Sequence, residues 1–152
     1  MEKFSLFKEY IVDGQQSNNE KRHIFYKVDN KQIESAEARM KNKFPSELKE
    51  FYIEIGYGFL CKNDKTHTNR IMDPSDIADF YCGDEVYNYV DRDLYDSNEI
   101  IFFDLGGEGD FLTIKSDKND NSAVYYFGRK IADSLKEFLI NMNLNTNYYI
   151  EK

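Results

Sequence analysis

Residues 100–114 read IIFFDLGGEGDFLTI, and this stretch decides the fold class. Ile100-Ile101-Phe102-Phe103-Asp104 is a dense apolar run, suited to a central strand covered on both faces. Phe111-Leu112-Thr113-Ile114 predicts a second strand. The glycines and acids between them (Gly106, Gly107, Glu108, Gly109, Asp110) suit a tight turn, where glycine adopts left-handed backbone without a steric penalty. Downstream, Ala123–Phe127 (AVYYF) pairs with 111–114 across the turn-rich Ser116–Ser122, which predicts a hairpin. A closing helix follows. Ile131, Leu135, Phe138, Leu139 and Met142 form one stripe, and Ser134 with Glu137 forms a capping box.

Upstream of the central strand the pattern is mainly helical. Residues 3–12 predict a short helix with Phe4, Phe7 and Ile11 on one face. Residues 22–28 (RHIFYKV) predict a strand. Asp29 is the expected N-cap of a helix over 30–42, with Gln32 in the capping-box position and Ile33, Ala36, Glu37 or Met40 facing inward. Pro45-Ser46 opens a second helix whose Leu48, Phe51, Tyr52 and Ile55 recur at helical spacing, and Gly56 and Gly58 are expected to end it. Short strands are expected at Phe59–Cys61 and near Thr68–Met72. Asp73-Pro74 then starts a helix over 74–82. Helices, then strands, then a helix point to an α+β domain spanning 1–152, with a mostly antiparallel central sheet flanked by helices.

The chain has 152 residues, with 12 Phe, 12 Tyr and no Trp. That length supports one core without covalent staples. Neither Cys61 nor Cys82 sits in a CxxC pair; two reduced thiols or one disulfide both remain open. The N-terminus MEKFSLFKEY lacks a secretory layout. No apolar run approaches the roughly 20 residues that cross a bilayer. A cytoplasmic protein without a membrane partner is the expectation.

Charge is distributed unevenly. The net charge is −8, yet twelve acids and a single base, Arg92, fall between Asp73 and Asp110, giving that stretch −11 and the remainder +3. Phosphate would be repelled, so direct nucleic-acid binding is excluded as an expectation. A basic partner would be attracted and steered. Tyr81, Tyr87, Tyr89 and Tyr95 lie among these acids, a mixture that suits a binding surface; a solvated acidic face that only aids solubility is the equal alternative.

Segments 33–60 (IESAEARMKNKFPSELKEFYIEIGYGFL) and 100–114, together with Val124-Tyr125 and IADSLKEFLINM (131–142), occur in an order that resembles the SUKH superfamily. That group includes the fungal cell-wall assembly regulators and many bacterial immunity proteins. Ile33-Glu34, Phe44-Pro45, Leu48 to Ile55 and Gly56-Tyr57-Gly58 resemble its opening signature. The superfamily often has adjacent glycines where Tyr57 here separates them. The resemblance implies an α+β fold, a binding role and no catalytic residues.

Enzyme signals are weak by comparison. The glycine-rich turn lacks the Lys-Ser/Thr of a phosphate loop. Asp104, Glu108 and Asp110 lack EF-hand spacing. His23 and His67 have no ligand-spaced neighbours. A Cys61/His67 pair has no support beyond residue type. The expectation is a non-enzymatic protein, without metal or cofactor, that binds and neutralises a protein toxin with a basic face, possible nucleases included, by occluding its active site. The alternative is a regulatory scaffold of the cell-wall assembly regulator type. The expected contact residues are Asp84, Glu85, Tyr87, Asp91, Asp93, Tyr95 and Asp96, with tyrosines as anchors and acids setting rate and specificity.

Overall fold

A computed structural model describes residues 3–12, 22–61, 67–95, 98–106, 109–116 and 121–150. Seven strands form one sheet in chain order: β1 (Ile24–Tyr26), β2 (Tyr57–Phe59), β3 (Arg70–Ile71), β4 (Ile100–Gly106), β5 (Asp110–Ser116), β6 (Ser122–Tyr126) and β7 (Arg129–Ala132). Each strand pairs antiparallel with the next. Four α-helices cover it: α1 (Asn30–Met40), α2 (Ser46–Glu54), α3 (Pro74–Tyr81) and α4 (Leu135–Leu144). The α+β class and the antiparallel sheet flanked by helices are as expected. None of the described helices is long and apolar enough to cross a membrane.

Register sorts the sheet into two faces. Arg70 pairs with Asp104, and Asp104 with Phe111. Ile71 pairs with Phe103, and Phe103 with Leu112. Because side chains alternate along a strand, these trios point opposite ways. Phe103 meets Phe138 of α4 edge-on at 5.1 Å. Phe111 meets Phe80 of α3 at 5.9 Å. So α4 lies on one face and α3 on the other; α2 joins α4 beside β6, and α1 packs on α3.

The helix signals act as local chemistry predicts. Asp29 accepts from the Gln32 amide while the Gln32 side chain accepts from the Asp29 amide, a complete capping box. Ile33 and Ala36 are buried. Leu48, Phe51, Tyr52 and Ile55 are all buried, each contributing about 1.5–3 kcal/mol of apolar transfer. A contact invisible to pattern reading joins α2 to α4. Glu47, buried near the start of α2, accepts from the Leu135 and Lys136 amides at 2.8 and 3.0 Å. It thereby caps the first turn of another helix, where orphan donors favour an anion.

Several expectations need correction. The short helix expected over 3–12 is a 3-10 helix over 5–10; Phe4 and Phe7 are buried, while Ile11 lies past its end and forms an isolated bridge to Phe25. β2 starts two residues before the expected Phe59, because Gly58 belongs to it rather than to a helix cap. A Cβ on Gly58 would sit 2.1 Å from the Ile24 carbonyl oxygen, and one on Gly56 1.9 Å from that of Tyr26. The glycines therefore let β1 approach. Ile131 belongs to β7, not to the last helix, which begins at Leu135. Cys61 is buried and Cys82 exposed, both as free thiols.

Candidate functional site

The segment leaving α3 is irregular but ordered. Gly83 turns the chain with φ 78°. The Asp84 carboxylate accepts from the Val86 amide at 3.0 Å and opens a 3-10 turn over Glu85–Tyr87. The Asp91 carboxylate accepts from the Asp93 amide at 3.1 Å and opens a second over Arg92–Leu94. Short acidic side chains suit these positions because they bond backbone two residues ahead.

Two side chains anchor the middle of the segment and their neighbours face solvent. Tyr87 and Val90 are each 7% exposed. The Tyr87 ring packs edge-on against Phe80 at 5.5 Å and Phe111 at 6.4 Å. Two tyrosine hydroxyls fasten the ends to sheet backbone. Tyr81 donates to the Glu99 carbonyl and accepts from the Ile101 amide. Tyr95 donates to the Gly109 carbonyl and accepts from the Phe111 amide. Burial, the leading cause in each case, pushes the Tyr81, Tyr87 and Tyr95 hydroxyls up to about 12, so they remain protonated donors at neutral pH. Arg92 lies 4.1 Å over the Phe80 ring, where the ring's negative face attracts it.

Of the seven residues expected to meet a partner, Asp84, Glu85, Asp91 and Asp93 are exposed on this one segment. Tyr87 is buried, Tyr95 is half-buried with its hydroxyl engaged at both lone pair and proton, and Asp96 lies outside the described residues. The tyrosine geometry thus holds the segment down. Among the described side chains of residues 84–95, the large apolar ones that point outward are Val86, 64% exposed, and Tyr89, 56% exposed; neither was among the expected contacts.

The other acids of the stretch divide differently. Asp73 caps α3 by accepting from the Asp76 amide at 2.7 Å. Asp76 pairs with Arg70 at 2.8 Å and Asp104 with Arg70 at 3.7 Å. Asp79 pairs with Arg39 at 2.6 Å. Glu99 is buried and accepts from the Thr113 hydroxyl. Asp110 is exposed, and Glu108 lies outside the described residues. Among the described residues none of Asp84, Glu85, Asp91 and Asp93 forms an ion pair.

Elsewhere the chemistry-bearing residues serve packing. His23 is buried, and its Nδ1 accepts from the Cys61 amide at 2.8 Å. Burial, then the Arg22 charge, pushes its pKa down to about 4, opposed by the Asn143 hydrogen bond; it is neutral at pH 7. The His67 ring meets Tyr149 at 6.1 Å. Among the described residues no group of three His, Cys, Asp or Glu side chains is placed to hold a metal ion. An open cleft of about 570 Å³ lies between the 3-10 helix, the chain after β1 and the end of α2, lined in part by Lys8, Lys27, Ile53 and Glu54, with nothing from residues 84–95.

Comparison with known proteins adds two findings. The profile described as SMI1 / KNR4 family (SUKH-1) matches residues 27–141. A Bacillus subtilis (strain 168) protein named "Immunity protein YxxD" is 38% identical over 135 residues, covering 86% of this chain and 90% of that protein. No solved structure matches the chain significantly.

Proposed function

The chain belongs to the SMI1 / KNR4 family (SUKH-1) within the SUKH superfamily, and from that premise we propose that it is an immunity protein that binds a cognate protein toxin and occludes its active site. The 38% identity to a protein named as an immunity protein, sustained over nine-tenths of that protein's length, carries this reading. The geometry supports a particular way of docking. Asp84, Glu85, Asp91 and Asp93 face solvent on a segment tied to the sheet at Tyr81 and Tyr95. A carboxylate held without an internal cation keeps its field available to a basic partner. That field raises the encounter rate and penalises acidic competitors.

In this reading the protein performs no chemistry. It excludes substrate by occupying the site, and a nuclease, whose groove must be basic to hold phosphate, is the toxin class the charge suits best. Asp84, Glu85, Asp91, Asp93 and Asp96 form the charged contact, while Tyr87 and Tyr95 support it from behind.

The test is co-expression with a candidate toxin whose gene adjoins that of this chain, combined with association kinetics against its purified toxin domain. Wild-type protein should rescue growth. Its association rate should fall steeply between 50 and 300 mM salt, because exposed charges are screened within about 10 Å at 0.1 M. Glu85→Lys with Asp93→Lys should slow association at least tenfold with the fold intact by circular dichroism. Rescue with salt-independent association would remove the electrostatic docking; absence of both rescue and binding would remove the immunity reading.

A further inference from the structure

Four features of residues 84–95 converge. The backbone is fixed: side-chain caps at Asp84 and Asp91 set both turns, and Tyr81 and Tyr95 bond sheet backbone at either end. The inner side chains Tyr87 and Val90 are locked in the core cluster. The outer side chains Val86 and Tyr89 are among the most exposed large apolar groups of the described residues, on a fixed support. The carboxylates of Asp84, Glu85, Asp91 and Asp93 flank them in sequence and are exposed with them.

A solubility surface has no use for a valine and a tyrosine lifted out of a rigid turn. Binding energy at interfaces concentrates in a few apolar and aromatic anchors that enter pockets, with a polar rim contributing less. Side chains whose backbone is ordered before binding lose less entropy on docking. Val86 and Tyr89 each precede one of the two buried side chains, Tyr87 and Val90, and are themselves exposed.

We propose that Val86 and Tyr89 are the apolar anchors of this face, and that they insert into an apolar pocket rimmed by lysine or arginine on a basic protein partner. The proposal rests on the toxin-binding reading and deepens it by dividing labour. The anchors set residence time, and the flanking carboxylates set encounter rate. Charge complementarity selects a basic protein over a second copy of this chain, since two −8 molecules would bring their acidic segments together.

The division is readable in kinetics against the same purified candidate toxin domain. Tyr89→Ser and Val86→Ser should each raise the dissociation rate at least tenfold and change the association rate less than twofold. Glu85→Gln with Asp93→Asn should do the reverse: association several-fold slower, dissociation within twofold. Ile140→Ser with Leu144→Ser alters a second exposed apolar pair, on α4, and should change neither rate. All these positions are at the surface, so unfolding does not confound the outcome; urea midpoints verify this. If wild-type binds and both anchor variants dissociate at the wild-type rate, the anchor assignment is overturned while toxin binding stands. Loss of binding through the α4 pair, or self-association of the wild type abolished by Val86→Ser, also overturns it. If wild-type protein neither binds nor rescues, both readings fall together.

Discussion

Two sets of carboxylates share the stretch from Asp73 to Asp110 and have opposite fates. Asp73, Asp76, Asp79, Glu99 and Asp104 are consumed by the fold: a helix cap, three ion pairs reaching Arg70 or Arg39, and a buried hydrogen bond with Thr113. Asp84, Glu85, Asp91 and Asp93 face solvent without an ion pair among the described residues. The inward set sits on α3, β4 and the approach to it; the outward set sits on the two 3-10 turns between. A run of acid in a sequence is therefore not a charged surface by itself. What separates the sets is ion pairing and burial: apart from the Asp73 cap, the inward acids meet Arg70, Arg39 or the Thr113 hydroxyl, whereas Asp84 and Asp91 accept only from amides of their own turns.

The comparison breaks first at Arg70. Its guanidinium serves Asp76 at 2.8 Å and Asp104 at 3.7 Å with only 18% of the side chain exposed. Arg70→Ala strands two partly buried carboxylates. Removing one partner of a buried pair costs about 3–5 kcal/mol, and partial exposure puts this case near about 3 kcal/mol. Urea unfolding measures it. A loss below about 1 kcal/mol would mean that the inward acids are solvated like the outward ones.

Acid sharpens the comparison by supplying a background. The unfolded chain binds a proton at His23 near pH 6.5, and the folded protein refuses it until about pH 4. More protons bound in the unfolded state means stability rises with pH. The contribution is intact above pH 6.5 and is lost as pH falls through the window from 6.5 to about 4. At roughly 1.4 kcal/mol per unit, the loss by pH 4 is on the order of 3 kcal/mol. His23→Asn should flatten that part of the profile in urea midpoints at pH 7 and pH 4. An unchanged slope would assign the acid sensitivity to the carboxylates instead.

Much of the fold was legible because it is written in local chemistry. The Asp29–Gln32 capping box, the Asp73-Pro74 helix start and the Leu48–Ile55 stripe each specify their element within a few residues, and the structure contains all three. β7 was illegible for a physical reason. Phe127 and Gly128 form a two-residue hairpin loop with φ 47° and 82°, the doubly positive pattern of a type I′ turn. Phenylalanine carries no signal for left-handed backbone, and Ile131 falls four residues before Leu135, so it reads as one more turn of helix. At the candidate site the exposed acids were legible from composition. Which tyrosines faced inward was not, because burial of Tyr87 depends on Phe80 and Phe111, which reach it only after α3 and β5 pack. Glu47 and Arg70 were missed for the same reason: their partners are distant in sequence.

A smaller effect separates the support from the surface. Tyr95→Phe keeps the ring on Phe127 and Phe111 but leaves the Gly109 carbonyl and the Phe111 amide without that hydroxyl. An unsatisfied buried group costs about 1–3 kcal/mol, and partial solvent access at Tyr95 points to about 1–2 kcal/mol. Faster hydrogen exchange at the Phe111 amide should accompany the loss. Unchanged exchange would show that the sheet, and not the hydroxyl, holds the segment's end.

The smallest expected effect on stability is also the most telling. Glu85→Gln and Asp93→Asn remove charge from exposed side chains that form no ion pair among the described residues, and Asp84→Asn and Asp91→Asn keep the accepting oxygen that each turn requires. Each substitution should shift stability by no more than about 0.5 kcal/mol. The four together should, if anything, stabilise the chain, because net charge falls from −8 to −4 and self-repulsion weakens. Asp76→Asn, which loses a pair to Arg70, should cost more than any of them. A protein that gains stability by discarding four acids, yet loses association rate with a basic partner, retains those acids for the partner. If urea midpoints instead show the outward neutralisations costing as much as Asp76→Asn, the outward set is structural, and the distinction between the two sets, with the docking surface built on it, is gone.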